Sequence, residues 1–180
     1  MPADVRKTGF PIDHVVVLMM ENNSFDRMLG NLREAHPSLE GVDPAHPRTN
    51  PNPDDGLVAQ GPTTARNIDR DPKHYLPNGL AQLDGGTNNG FVADFVRTHP
   101  NSTRVERAEI MAYYPRGFLP ALHVLAEHFV ICDHWFSSLP GPTWINRLFA
   151  HSGTSLGHVS EPGSLFSTKL HLYDQRTLYD

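Results

Sequence analysis

The sequence predicts a domain of the α/β class with a mainly parallel sheet, and two observations carry this prediction. Residues 14–20 read His-Val-Val-Val-Leu-Met-Met, an apolar run without the alternation of a half-exposed strand. Such runs are typical of strands that are buried on both faces of a parallel sheet. A second short apolar run, residues 129–132, also ends in a charged residue, Asp133. Segments with helical spacing lie between and beyond the two runs.

Capping residues and apolar spacing predict the helices. Ser24 can cap a short helix over residues 25–29, and Gly30 would end it. We expect further helices over residues 90–97, 103–114, 120–128 and 144–150, and the start of another near Gln175.

Residues 36–90 are predicted as a long irregular insertion. Prolines punctuate this segment throughout, and the loosest part is Asn-Pro-Asn-Pro-Asp-Asp-Gly at residues 50–56. A loop of this length is uncommon in a folded domain unless it is functional or disordered. We interpret it as a surface excursion that lines a site.

Composition and charge exclude some classes of function. The chain has 180 residues, of which 38% are hydrophobic and 19% charged, and its formal net charge is -5. No basic patch is concentrated anywhere, which argues against a protein that binds nucleic acid. Cys132 is the single cysteine, so an internal disulfide and a cysteine-based zinc cluster are excluded. The oligomeric state is left open.

The sequence also lacks the usual membrane and export signals. No apolar run approaches the ~20 residues of a transmembrane helix. The first ten residues include Arg6 and Lys7, but no apolar stretch of signal-peptide length follows them. We therefore expect a cytoplasmic protein from the sequence as written, or a secreted or periplasmic one if an export signal precedes it.

Glu21 and Asn22 form the first candidate site, at the end of the predicted strand 14–20. Ligand sites of open α/β sheets lie at the carboxyl ends of strands. A hard divalent cation takes oxygen ligands, and this carboxylate and carboxamide would supply two of them. An ordinary turn, in which Asn22 and Ser24 make local hydrogen bonds, explains the same residues.

Thr143 forms the second candidate site, after Pro140, Gly141 and Pro142 and at the start of a predicted helix. Free backbone N–H groups at such a position favour binding of a phosphate. A hydroxyl there becomes a nucleophile when a nearby cation lowers its pKa. On this motif alone, an ordinary helix cap is the simpler interpretation. Two residues about one turn further along the helix are placed to reach the same anion: Asn146 and Arg147.

Several catalytic motifs are missing from the sequence. No His-Glu-x-x-His pattern, phosphate-binding P-loop, dinucleotide glycine fingerprint or Gly-x-Ser-x-Gly elbow occurs. The 11 histidines favour a function in metal, proton-transfer or phosphate chemistry. A single loop histidine such as His74 is weak support for any of these functions.

Two long stretches resemble a known family. Residues 14–30, HVVVLMMENNSFDRMLG, resemble the opening motif of the bacterial phospholipase C and acid phosphatase phosphoesterase family, which plant non-specific phospholipases C share. Residues 129–153, FVICDHWFSSLPGPTWINRLFAHSG, resemble its second signature. Asp71-x-x-His74, followed by residues 88–92, is similar to a weaker block between them.

The resemblance implies an alkaline-phosphatase-like α/β/α sandwich that hydrolyses phosphate esters with a divalent metal ion of unspecified identity. The substrate would be a phospholipid or a small phosphomonoester. The site residues that the resemblance carries over are Glu21 and Asn22 for the metal, Thr143 as nucleophile, His74 in the active site, and Asn22, Asn146 and Arg147 near the substrate phosphate.

The sequence departs from the family pattern in two ways. Family members commonly have arginine at the position of Asn23 and often histidine at that of Arg27. They also continue to further aspartate and histidine residues, so residues 1–180 are expected to form the N-terminal part of a single phosphoesterase domain with an incomplete sheet. The alternative is a catalytically inactive remnant that binds phosphate weakly at most, because two protein oxygens rarely hold a divalent ion tightly.

Overall fold

The computed structural model describes residues 11–160 and 175–180 as a mixed α/β structure. Its described helices and strands, in chain order, are α1 (Phe25–Met28), β1 (Thr49–Pro51), β2 (Leu57–Ala59), β3 (Gly61–Pro62), α2 (Leu76–Leu83), α3 (Phe91–Thr98), α4 (Arg104–Ile110), β4 (Ala112–Tyr113), α5 (Pro120–His128) and α6 (Thr143–Ser152). Two short 3₁₀ helices lie at Gly30–Glu34 and Asp84–Gly86.

The described strands form two small sheets. β1 pairs with β2 in antiparallel orientation, with Asn50 opposite Val58. β3 pairs with β4 in parallel orientation, and the N–H of Thr63 extends this pairing by donating to the Tyr113 carbonyl over 2.9 Å. The predicted α/β class is confirmed, and the structure includes a parallel pair.

The predicted burial of a strand at residues 14–20 is wrong. No strand is assigned there, and every residue of the run is exposed, Val16 to 91%. The second run, residues 129–132, likewise forms no strand, and Val130 is 90% exposed. The physical reason is the same for both runs, since a parallel strand is buried only when neighbouring strands and helices cover it, and the described part of the chain supplies none to either run.

Most of the predicted helices are confirmed. α3, α4, α5 and α6 lie within the predicted segments to a residue or two, apart from the C-terminal end of the segment 103–114. Ser24 caps α1, because its Oγ accepts a hydrogen bond of 3.1 Å from the Arg27 N–H. Gly30 does not stop the helical turns but begins a 3₁₀ helix. Residues 175–180 contain a turn in place of the helix expected near Gln175.

The structure orders part of the proline-rich segment 36–90. The prolines lie where the backbone tolerates them: Pro51 ends β1, and Pro77 lies in the first turn of α2. Proline lacks an N–H and fixes φ near −65°, which suits the first turn of a helix and the end of a strand. Pro51 and Pro77 therefore lie at the ends of short secondary-structure elements in this segment.

The most completely buried apolar side chains come from the N-terminal region, α3 and α6. Leu32, Val42, Val92, Phe95 and Ile145 are almost completely buried. Because Ile145 lies in the first turn of α6, its burial fixes the start of that helix against the rest of the domain.

A buried histidine holds α5 against α1. The Nδ1 of His123 accepts a hydrogen bond from the Gly117 N–H at 2.8 Å, and its Nε2 lies 2.9 Å from the Met28 carbonyl oxygen. Since a carbonyl only accepts, Nε2 carries the proton, and the imidazole is held in one neutral tautomer. His123 therefore has a structural role at the base of α1.

Candidate active site

Thr143 and Asn22 come together although they are 121 positions apart in the chain. The Thr143 hydroxyl donates a hydrogen bond of 3.0 Å to the Asn22 Oδ1. Asn22 has a φ of 62°, in the left-handed region that residues other than glycine rarely adopt. Such backbone conformations cluster at functional sites, and asparagine is among the residues that tolerate them best.

Glu21 and Arg147 form an ion pair beside this hydrogen bond. Both Nε and Nη2 of Arg147 donate to the Oε2 of Glu21, over 2.9 and 2.6 Å. Arg147 lies four residues after Thr143 on α6, so the two side chains share one helix face. Both charged side chains are about half exposed, which leaves the guanidinium accessible to a dissolved anion.

The start of α6 supplies backbone donors at the same place. Thr143 is its first residue, and Pro142, with φ −69° and ψ 159°, is its extended N-cap. The first N–H groups of a helix have no partner within the helix, and the helix dipole adds partial positive charge there. A phosphate bound near the Thr143 hydroxyl would meet these donors.

Asn146 is turned into the preceding loop instead of toward the Thr143 hydroxyl. Its Oδ1 accepts from the Leu139 N–H at 3.1 Å, and its Nδ2 donates to the Leu139 carbonyl at 2.9 Å. The same amide nitrogen lies 3.3 Å from the Gly141 carbonyl oxygen. These contacts give Asn146 a positioning role for the loop that leads into Thr143, and they do not bring it to a phosphate.

Gly79 also positions that loop, and sequence reasoning missed it. The middle of α2 lies so close to the loop that a Cβ on Gly79 would be 2.7 Å from the carbonyl carbon of Pro140 and closer still to its oxygen. Only glycine permits this approach of two backbones. The available signal was a glycine inside a helical segment, which is unfavourable unless packing requires it.

His74 lies two residues before α2 begins. Its Nδ1 is 3.9 Å from an Asp71 carboxylate oxygen, and its ring stacks on Tyr75 with centroids 5.6 Å apart. α2 itself passes close to the loop, since the Leu76 Cα is 3.9 Å from the position of a Cβ on Gly141. The structure therefore brings the start of α2 close to the loop before Thr143, and among the described contacts no hydrogen bond joins His74 to Thr143 or Asn22.

The oxygen atoms around Thr143 are of the kind that a hard divalent cation takes. Glu21, Asn22 and Thr143 present a carboxylate, an amide oxygen and a hydroxyl, which suits magnesium, calcium or manganese better than zinc. Over residues 11–160 and 175–180, no group of three or more His, Cys, Asp or Glu side chains is placed to hold a metal ion. These donor atoms are of the chemical type that such an ion binds. The described residues supply only a few of them.

A cavity of about 230 Å³ is lined in part by Arg147. Mostly apolar surface lines it, with Trp144, Leu148 and His151 from α6 and Gln175 and Thr177 from the C-terminal residues. Among the described residues, the Gln175 Oε1 is the one buried side-chain polar atom without a hydrogen-bond partner. Arg147 thus both pairs with Glu21 and lines this cavity.

An exposed hydroxyl at a helix start, an acid–amide pair and an arginine around one point are typical of enzymes that handle phosphate groups. The chain belongs to the Phosphoesterase family, whose model matches residues 12–180. This agrees with the resemblance that the two motifs carry.

Named relatives include plant and bacterial phospholipases C. The chain is 34% identical to non-specific phospholipase C3 of Arabidopsis thaliana, an alignment that covers 94% of this chain and 34% of that protein. It is 32% identical to phospholipase C B of Mycobacterium tuberculosis, over 77% of this chain and 29% of the relative. It is 30% identical to non-hemolytic phospholipase C of Burkholderia pseudomallei, over 85% and 22%.

The chain spans about a third of the length of the plant relatives that it matches. None of the helices in the described part of the chain has the length and apolar character that crossing a bilayer requires.

Proposed function

We propose that this chain carries the nucleophile of a phosphoesterase and that Thr143 is that nucleophile. The observation that carries the proposal is the 3.0 Å hydrogen bond from the Thr143 hydroxyl to Asn22, next to the Glu21–Arg147 ion pair. This hydrogen bond holds the Thr143 hydroxyl beside Asn22, at the start of α6 where a phosphate would bind.

Charge complementarity supports phosphate binding at this point. Arg147 carries two donors on one side of its guanidinium, which match two phosphate oxygens as well as they match the Glu21 carboxylate. The backbone N–H groups at the start of α6 add further donors. A phosphate would therefore exchange with Glu21 for Arg147 and release the carboxylate.

Glu21 and Asn22 would hold a divalent metal ion, with the released carboxylate as its charged ligand. When bound, such an ion lowers the pKa of a nearby hydroxyl and offsets negative charge on the phosphate. Magnesium commonly takes only one or two carboxylates and completes its shell with water and substrate phosphate oxygens, which agrees with the small donor set here.

The reaction has two balanced steps. Thr143 Oγ loses its proton to solvent and forms a bond to phosphorus while the ester P–O bond breaks, and the leaving oxygen takes a proton from a protonated histidine, for which His74 is the candidate. Water then forms a bond to phosphorus while the Thr143 Oγ–P bond breaks, and Thr143 takes a proton from that water. The histidine takes back from solvent the proton that Thr143 released in the first step. The products are the free alcohol and the phosphate, or phosphorylated headgroup.

The cavity beside Arg147 favours an ester whose non-phosphate part is at least partly apolar. Trp144 and Leu148 would contact apolar atoms of the substrate. The names of the relatives point to phospholipids, and a small phosphomonoester is the other substrate class that the site admits.

Hydrolysis is tested with p-nitrophenyl phosphate and phosphatidylcholine in the presence of magnesium or manganese. The Thr143→Ala variant should lose turnover, and Thr143→Ser should retain a measurable part because it keeps the hydroxyl. Thr103→Ala is the matched control, since Thr103 also starts a helix but lies outside the site. Turnover by Thr143→Ala at the wild-type rate would refute the nucleophile.

Phosphate binding without turnover is the second candidate function. The observation that favours it is the Glu21–Arg147 ion pair, which leaves the carboxylate engaged and the described metal-ligating set small. Calorimetric titration with inorganic phosphate, with and without magnesium, separates the two candidates. Binding of phosphate together with no hydrolysis of either ester would establish the second.

A further inference from the structure

Arg27 is a buried charged residue that the proposed reaction does not use. It lies in α1 and is 8% exposed. Its Nη2 donates to a Glu109 carboxylate oxygen over 2.7 Å, and its Nη1 donates to the Glu109 carbonyl oxygen over 3.0 Å. Glu109 belongs to α4, so the pair joins two segments that are 82 positions apart in the chain. Because desolvation of two charges opposes such a pair, its retention is evidence for a role beyond stability.

Neighbouring side chains hold both members of the pair in place. The Thr63 hydroxyl donates to the second carboxylate oxygen of Glu109 over 3.0 Å. The guanidinium of Arg27 lies over the Tyr114 ring, with its Cζ 5.0 Å from the ring centroid. The Tyr114 hydroxyl in turn donates to the Ala65 carbonyl over 2.9 Å. The Arg27 side chain is therefore fixed by an ion pair on one side and by an anchored aromatic ring on the other.

The helix that carries Arg27 depends on such contacts for its position. α1 has 4 residues, about one turn, and helices shorter than ~12–15 residues are marginal by themselves in water. Residues 14–20 before it are exposed, and among the described residues they make no backbone hydrogen bonds. The place of α1 in the domain is therefore set by the tertiary contacts of α1 itself.

The backbone of Arg27 connects the buried pair to the candidate active site. Its N–H donates to Oγ of Ser24, the N-cap of α1, over 3.1 Å. Its carbonyl oxygen accepts a hydrogen bond of 2.8 Å from the Tyr114 N–H. Ser24 lies two residues after Asn22, whose Oδ1 accepts the hydrogen bond from Thr143. A shift of α1 would therefore move Asn22 relative to Thr143, which begins a different helix.

We infer that Arg27, through its pair with Glu109, is a positioning residue that sets where Asn22 meets Thr143. The inference rests on the proposed function, because it assigns a role in the same site. The contacts of the loop before Thr143 fix one half of that site, and the buried pair fixes the half that carries Asn22. The described partners of the Arg27 side chain are Glu109 and Tyr114, so it acts on the site only through α1.

The test replaces Arg27 by methionine, which keeps an unbranched side chain but no donors. The kcat for p-nitrophenyl phosphate with magnesium should fall at least about 10-fold, since a misplacement of about 1 Å can cost ~100-fold in rate. In nuclear magnetic resonance spectra of the full chain without substrate, the Asn22 amide resonance should shift. Arg27→Lys keeps the charge and a donor for Glu109, and it should recover part of both properties.

Arg107→Met is the matched control, because it removes another buried arginine. Arg107 lies on α4, is 6% exposed and donates to Ser102, Asn52 and Asp54, which lie outside the candidate active site. Both methionine variants should lower the melting temperature, since each leaves an acidic side chain without its arginine. Only the Arg27 variant should lower kcat and shift the Asn22 amide resonance.

Either a wild-type kcat or an unshifted Asn22 amide in Arg27→Met would overturn the inference. Equal losses of kcat in the two methionine variants, measured at a temperature where both are folded, would also overturn it, because loss of stability alone would then explain them. A wild-type chain without hydrolysis would contradict the proposed reaction, and the Asn22 resonance would then decide the positioning role. A shift in Arg27→Met and none in Arg107→Met would support that role, and any other pattern would contradict it.

Discussion

Replacing Gly79 by alanine sets two physical effects against each other. Gly79 lies inside α2, where alanine is favoured over glycine by ~1 kcal/mol because it restricts the unfolded chain and suits the helix. The structure argues for the opposite sign, since the new Cβ would meet the Pro140 carbonyl group.

The magnitude follows from the distance. The Cβ would lie 2.7 Å from the Pro140 carbonyl carbon. Carbon atoms in contact are normally about 3.5–4.0 Å apart, so the two backbones must separate by roughly 1 Å. Overpacking of this kind costs ~1–3 kcal/mol, and backbone atoms relax less readily than a flexible side chain. After the gain in helix propensity, we expect Gly79→Ala to destabilise the chain by up to ~2 kcal/mol.

Urea and thermal unfolding measure this change. A loss of ~1 kcal/mol lowers the melting temperature by roughly 2–4 °C in a chain of this size. Gly61→Ala is the matched control, because among the described residues no atom lies within 4 Å of its Cβ position and its φ is not positive. A higher melting temperature for Gly79→Ala would refute the close approach of α2 to the loop before Thr143.

Three further predictions concern other parts of the structure. Arg147→Ala should weaken binding of inorganic phosphate about 10-fold or more, since hydrogen bonds from a charged donor contribute ~1.5–3 kcal/mol, and calorimetry measures this. Asn146→Ala should release the loop that it clamps, with a loss of ~1 kcal/mol in urea unfolding and weaker phosphate binding. The Thr103 N–H and hydroxyl lower the pKa of Glu106, so its contribution to stability is present above its ordinary pKa of 4.5 and is lost as the pH falls through the lowered value. Glu106→Gln should therefore flatten the acid side of the profile of melting temperature against pH.

Each of these three predictions has its own control or its own contradicting result. Arg104→Ala removes an exposed arginine that pairs with Asp55, and it should leave phosphate affinity unchanged. Equal losses for both arginine variants would mean that Arg147 acts only through net charge. Wild-type phosphate affinity in Asn146→Ala would remove its positioning role, and an unchanged acid limb in Glu106→Gln would contradict the capping box of α4.

Local sequence features were enough to predict most of the helices. Ser24 caps α1 as expected, and Thr143 begins α6 after Pro142. Capping and helical spacing act over a few residues, so they can be recognised without the rest of the fold. The same local reasoning selected Asn22 and Thr143, and the structure places their side chains in contact.

Features that depend on distant parts of the chain could not be predicted in this way. Residues 14–20 have the composition of a buried strand, but burial depends on neighbours that the described part of the chain does not supply. The ion pair of Glu21 with Arg147 and the approach of Gly79 to Pro140 arise from packing between segments that are far apart in sequence. Spacing along the chain carries no direct signal for such contacts.

Detection of a phosphorylated threonine tests the central proposal most directly. The chain is mixed with p-nitrophenyl phosphate and a divalent metal ion, quenched in acid and digested for mass spectrometry. We expect one phosphoryl group on Thr143 in the wild-type chain and none in Thr143→Ala. A wild-type chain without a phosphoryl group on Thr143, or with one on another residue that Thr143→Ala retains, would contradict the proposed mechanism.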